Sequence, residues 1–269
     1  MRVLDLFSGI GGFSLGLERA GMKTVAFCEI NPFARRVLAY RWPGVPCFDD
    51  VRTLSAQHLT ADGIAVDVIC GGFPCQDISI AGKGAGLAGE RSGLWREYAR
   101  LVGELRPQYV IVENVSALLG RGLGDVLGDL AALGYDAEWH CIPASAVGAP
   151  HRRDRLWIVA YPDGERELQS EGCVSNVGRR VGDSRQNVAN ASGAGLPLAQ
   201  QESRNARILP APRLRIALER CSGWATEPDV GRVAHGLPGR VDRLTALGNA
   251  VVPQIPELIG RAIMEDING

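Results

Sequence analysis

Short apolar runs alternate with stretches of helical periodicity over the first 160 residues. Residues 3–7 read as a strand, and 13–20 as a helix with Phe13, Leu17 and Ala20 at helical spacing. Residues 24–29 form the next predicted strand. Asn31 then caps a helix that carries Pro32 at its first position. The run 66–70 reads as a strand, 94–105 as a helix, 109–113 as a strand and 123–133 as a helix. Two more strands are expected at 137–142 and 156–160. Strands alternating with helices predict an α/β fold built on a mainly parallel sheet covered on both faces.

The pattern changes after Tyr161. From there to about Pro238 the chain is rich in Gly, Ser, Asn, Arg and Pro and has little periodicity. Helical spacing returns at 253–267, where Ile255, Leu258, Ile259 and Ile263 share a face. Composition adds three limits. A 46% hydrophobic content over 269 residues supports a sizeable core. Seven cysteines without a CxxC pair argue against a disulfide framework and a structural zinc site. Neither a signal-peptide pattern nor a membrane-length apolar run is present, so a cytoplasmic protein without membrane or metal is expected. The net charge of −1 conceals an asymmetry: residues 151–243 hold fifteen Arg, no Lys and eleven acids. An Arg-only basic segment suits phosphate contacts.

Candidate chemistry sits at the predicted strand ends. The segment 71–76, Gly-Gly-Phe-Pro-Cys-Gln, places Cys75 on a turn stiffened by Pro74, with a Gly-rich stretch at 81–89 behind it. A single thiol on a rigid turn is suited to covalent catalysis. Cys28, Cys47, Cys70 and Cys141 lie in or beside apolar runs and read as small buried residues. Phe7, Gly9, Gly11 and Gly12 belong to a turn between the first strand and first helix. Glu29 ends the second strand, where an acid can bind ribose hydroxyls. An acid there without the strict GxGxxG spacing favours a nucleoside cofactor. Glu113 ends a neighbouring strand. Arg153 and Arg155, two apart at the start of another, are expected to face the same way.

With these residues in this order, the chain resembles the bacterial and phage cytosine-5 DNA methyltransferases. The matching segments are 5–12, Glu29, Asp50-Val51, 71–76, 113–115, 152–155 and 248–253. The resemblance implies a Rossmann-like, S-adenosylmethionine-dependent methyltransferase sheet with a small irregular target-recognition segment. It implies a catalytic and cofactor-binding domain at 1–160, target recognition at 161–236 and a return to the catalytic domain at 237–269. Cys75 would attack carbon 6 of a flipped cytosine, with Glu113 on ring N3 and the exocyclic amine. Arg155 would contact the base carbonyl and Arg153 would support the site or a phosphate. Phe7, Gly9, Gly11, Glu29, Ile30, Asp50, Val51, Pro74, Asn249 and Val251 would bind S-adenosylmethionine. The partner would be double-stranded DNA, met by a monomer, in the style of prophage members. His151 stands where the family usually has Gln. Trp224, Arg232 and His235 are candidates to reach DNA. Three readings compete: an RNA cytosine methyltransferase on the same fold, a non-enzymatic DNA-binding relic, and a nicotinamide oxidoreductase, which the imperfect Gly pattern disfavours.

Overall fold

The computed structural model describes residues 1–74, 93–164 and 240–268. Cys75, the Gly-rich stretch at 81–89 and nearly all of 161–236 lie outside them, Trp224, Arg232 and His235 included. The described strands are β1 (Arg2–Leu6), β2 (Lys23–Cys28), β3 (Cys47–Phe48), β4 (Val68–Gly71), β5 (Tyr109–Val115), β6 (Tyr135–Pro143) and β7 (Asp154–Pro162). They form one sheet in the order β3-β2-β1-β4-β5-β7-β6. The first five strands of that row run parallel, and β7 is antiparallel to both β5 and β6. β7 alone is reversed, so the sheet is mainly parallel, as the alternation predicts. Strand order turns back between β1 and β4, which makes the carboxyl ends of β1, β4 and β5 the natural ligand crevice.

Helices cover both faces. Strand residues alternate between two cores, as pleating requires. Leu4, Leu6, Ile69, Val110 and Val112 face one core with Trp95, Tyr98 and Leu101 of α4 (Leu94–Leu105) and Val126 and Leu130 of α6 (Leu123–Ala132). Val3, Val68, Cys70 and Ile111 face the other core. There they meet Phe13 and Leu17 of α1 (Gly12–Arg19) and Ile255, Leu258, Ile259 and Ile263 of α8 (Gln254–Asn268). Burying each such aliphatic side chain stabilises by about 1.5–3 kcal/mol. The α1–α8 crossing is very close. A Cβ on Gly16 would collide with the carbonyl oxygen of Pro253, and one on Gly260 would stand 2.8 Å from Ala20 Cβ. The last described segment therefore belongs to the core that carries the sheet.

The remaining described helices are short or outward-facing: α2 (Pro32–Arg41), α3 (Ala56–Ala61), α5 (Leu118–Arg121) and α7 (Arg240–Asn249). Asn31 caps α2 as expected, its side chain accepting from the amides of Phe33 and Ala34. Helix α7 is not anticipated by the hydrophobic pattern. Its Val241, Leu244 and Leu247 are all exposed. One cysteine also departs from expectation. Cys28 and Cys70 are buried and Cys47 is half-buried, but Cys141 is exposed on the edge strand β6. None of the described helices is long and apolar enough to cross a membrane.

Candidate active site

The turn after β1 is shaped by positive φ angles at Phe7 (52°), Gly9 (54°) and Gly11 (84°). A left-handed phenylalanine is costly, so the surroundings must hold it. Ser8 does part of this: its hydroxyl donates to Asp5 O at 2.6 Å and its amide to Cys28 O at 3.2 Å. Glu29 does the rest. One carboxylate oxygen accepts from Gly9 N and the other from Asn31 N, both at 2.7 Å. Glu29 thus fastens the Gly turn to the start of α2. A Cβ on Gly9 would meet nothing within 4 Å, so the turn opens onto free space. Ile30, beside Glu29, is 67% exposed.

Two neighbouring residues take other partners. Asp50 grips Arg52, accepting from its amide and guanidinium at 2.6–3.0 Å, and this holds its carboxyl below the usual range. Val51 is buried in the core, and its carbonyl accepts from Arg100 Nη2 at 3.0 Å. From the far end of the chain, Val251 reaches this turn: a Cβ on Gly12 would stand 2.6 Å from Val251 O. Asn249, at the end of α7, is exposed.

The second half of the site lies at the ends of β4 and β5. Phe73 is buried against Trp95, with ring centroids 5.3 Å apart, and its carbonyl accepts from Asn114 Nδ2 at 3.1 Å. Asn114 is itself buried and braces its own strand, its Oδ1 accepting from Val115 N. Phe73 is therefore held from both sides where the chain enters half-buried Pro74 and then Cys75. Glu113 Oε1 lies 2.9 Å from Arg155 Nε. Burial pushes the Glu113 carboxyl up, although Arg155 and Arg153 both oppose the shift. Gly72 makes room for this carboxylate: a Cβ there would stand 2.7 Å from Glu113 Oε2.

The sheet that carries these residues has a counterpart in known proteins. Residues 1–192 match the model of the C-5 cytosine-specific DNA methylases. The chain belongs to that family. It is 36% identical over 168 residues to the type II methyltransferase M2.BsuMI of Bacillus subtilis, 60% of this chain and 42% of that protein. It is also 36% identical over 178 residues to the type II methyltransferase M.CviJI of Paramecium bursaria Chlorella virus IL3A, covering 65% and 46%. The chain thus matches less than half the length of these relatives. Among solved structures it is similar to one described as a DNA modification methyltransferase encoded within an E. coli prophage. The TM-score there is 0.53 and the identity 29%, over 60% of this chain and 47% of that one. The Spodoptera frugiperda DNMT2 structure shares the fold, with a TM-score of 0.52 and 22% identity over 61% and 51% of the two chains.

The structure gives Arg153 and Arg155 different hydrogen-bond partners, although both guanidinium groups act on the Glu113 carboxyl. Arg153 precedes β7 at φ 36° and so does not follow the strand alternation that carries Arg155. Its guanidinium donates to Gly248 O at 2.8 Å and Ala250 O at 2.9 Å. Two buried polar residues lie inside the matching motifs, but their contacts do not show in the sequence. Asn114 lies inside a recognised motif, yet its bond to the Phe73 carbonyl needs the β4–β5 pairing to be seen. Asp5 is fully buried and accepts from the Ser14 hydroxyl at 2.7 Å. Burial pushes its carboxyl up to about 8.

Proposed function

We propose that the chain is a DNA (cytosine-5-)-methyltransferase acting on a flipped cytosine in duplex DNA. The observation that carries this reading is the Glu113–Arg155 pair, held within reach of the turn that leads to Cys75. The target carbon is hidden inside a duplex, so the base must leave the stack. The Cys75 thiolate then adds to carbon 6, and ring N3 takes up a proton. Glu113 suits that proton transfer, because burial lets its carboxyl keep a proton to higher pH than an ordinary glutamate. Arg155 holds the carboxyl and offers guanidinium donors to the base carbonyl. Addition makes carbon 5 nucleophilic. After methylation, loss of the carbon-5 proton and β-elimination return Cys75.

The residues around the β1 turn fit S-adenosylmethionine. The open face over Gly9, the exposed apolar Ile30 and a carboxylate with its remaining lone pairs suit a nucleoside with ribose hydroxyls. Phe7, Gly9 and Gly11 would hold its methionine end, Glu29 the ribose, Ile30 and Asp50 the adenine. Val51, Pro74, Asn249 and Val251 would complete the walls. When bound, it supplies the electrophilic methyl group. Residues 161–236 would read the DNA sequence.

Duplex DNA carrying 5-fluorocytosine tests the reading, because fluorine cannot leave as a proton does. With the target site first mapped by bisulfite sequencing of DNA from expressing cells, the wild type should form a denaturation-resistant adduct. Cys75→Ser should form none. Methyl transfer to tRNA and not to duplex DNA would overturn the substrate assignment.

A further inference from the structure

Arg153 makes a connection that neither half of the site explains. It is half-buried, and its guanidinium bridges two carbonyls at the end of α7, Gly248 O at 2.8 Å and Ala250 O at 2.9 Å. The last carbonyls of a helix lack intrahelical partners and carry the negative end of its dipole. A planar guanidinium can satisfy two of them at once, as a single ammonium cannot in the same geometry. The next residues run straight to the cofactor side. Val251 packs on Gly12 at the start of α1, and the Pro253 carbonyl on Gly16 in the middle of that helix. Two positions after Arg153, Arg155 pairs with Glu113 at 2.9 Å.

We propose that Arg153 is a positioning residue that clasps the 248–252 segment closed over the S-adenosylmethionine pocket and ties that closure to the Glu113–Arg155 pair. This rests on the proposed methyltransferase reading. A bridge to two backbone carbonyls also leaves Arg153 poorly placed to serve as a phosphate contact. At φ 36° just before β7, Arg153 lies outside the strand alternation that carries Arg155, yet both guanidinium groups act on the Glu113 carboxyl. Because linkage between two binding events is reciprocal, weakening the clasp should loosen S-adenosylmethionine and also reduce the gain in DNA affinity that the cofactor gives.

The variants are Arg153→Gly, which removes the guanidinium at a φ that glycine adopts readily, and Arg153→Lys, which keeps one charge. Amide hydrogen exchange at residues 248–252 and calorimetry with S-adenosylhomocysteine are measured on the full chain. The expected result for Arg153→Gly is exchange at least tenfold faster in 248–252 and S-adenosylhomocysteine affinity about tenfold weaker, roughly the loss of one charge-assisted hydrogen bond. The KM for S-adenosylmethionine should rise more than kcat falls, and Arg153→Lys should restore part of both. Unchanged exchange overturns the clasp. Faster exchange with unchanged affinity overturns its link to the cofactor, leaving only a brace. If the wild type itself fails to bind S-adenosylhomocysteine, the proposed function fails instead, and the exchange result alone decides the clasp.

Discussion

Arg155 Nε stands 2.9 Å from Glu113 Oε1, a diagonal pair across the antiparallel strands β5 and β7. Both side chains are largely withdrawn from solvent, at 24% and 14% exposure. Breaking a buried pair by removing one partner costs about 3–5 kcal/mol, because the other charge is left uncompensated. The residual exposure places this pair at the low end. Without Arg155, the Glu113 carboxyl should rise further and hold its proton instead of charging. Arg155→Ala should therefore lower the melting temperature and cut methyl transfer by roughly a hundredfold, on the order of 3 kcal/mol. S-adenosylhomocysteine binding should survive. Calorimetry and a tritiated-methyl assay check the split. Full activity would remove Arg155 from the base site.

Gly72→Ala tests the geometry from the other side. The new Cβ would meet Glu113 Oε2 at 2.7 Å and must displace it. A carboxylate moved by even 1 Å is expected to lose about two orders of magnitude in rate. The loss should fall on kcat, with cofactor affinity unchanged. Normal kcat in a well-folded Gly72→Ala protein would show that Glu113 can shift without penalty.

Glu29 has two duties, fastening the turn through Gly9 and Asn31 and meeting the ribose. Glu29→Ala should weaken S-adenosylmethionine by one to two decades, about 1.5–3 kcal/mol. It should also speed exchange of the Gly9 amide without ligand present. Glu29→Gln keeps one acceptor and should fall between the two. Unchanged calorimetric affinity in Glu29→Ala would place the nucleoside elsewhere.

Asp5 makes a pH prediction. Its carboxyl is raised from 3.8 to about 8, chiefly by burial, with the Ser14 bonds opposing the shift. The folded state thus binds the proton more tightly than the unfolded chain. Stability on account of Asp5 is greatest below about pH 4 and declines as pH rises toward 8, beyond which the loss is complete. Asp5→Asn removes the ionisation and keeps an acceptor for Ser14. Its denaturation midpoint should match the wild type near pH 4 and exceed it increasingly up to about pH 8. Parallel pH profiles for the two proteins would rule out a titrating Asp5.

Much of the fold can be read along the chain. Helix α4 falls on the expected residues, and the Asn31-Pro32 start of α2 is visible because capping and a fixed φ are local properties. Helix α7 is harder to read, because Val241, Leu244 and Leu247 recur every three residues within a polar stretch and all three are exposed. Cys141 sits in an apolar run yet is exposed, because β6 has a neighbour on one side only. The reversal of β7 leaves no trace in a pattern that records burial and not direction.

The sequence by itself determined the alternating α/β order, the motifs at the strand ends and the family they belong to. Those depend on residue type and short-range spacing. Only the tertiary structure decided which groups meet. Arg153 and Arg155 differ by two positions and take different partners, the first the Gly248 and Ala250 carbonyls and the second Glu113. Glu29 spends its carboxylate on two amides, and Asn114 bonds a carbonyl 41 residues away. Such contacts follow from sheet register and chain reversal, which bring distant residues to one crevice and which no local pattern encodes.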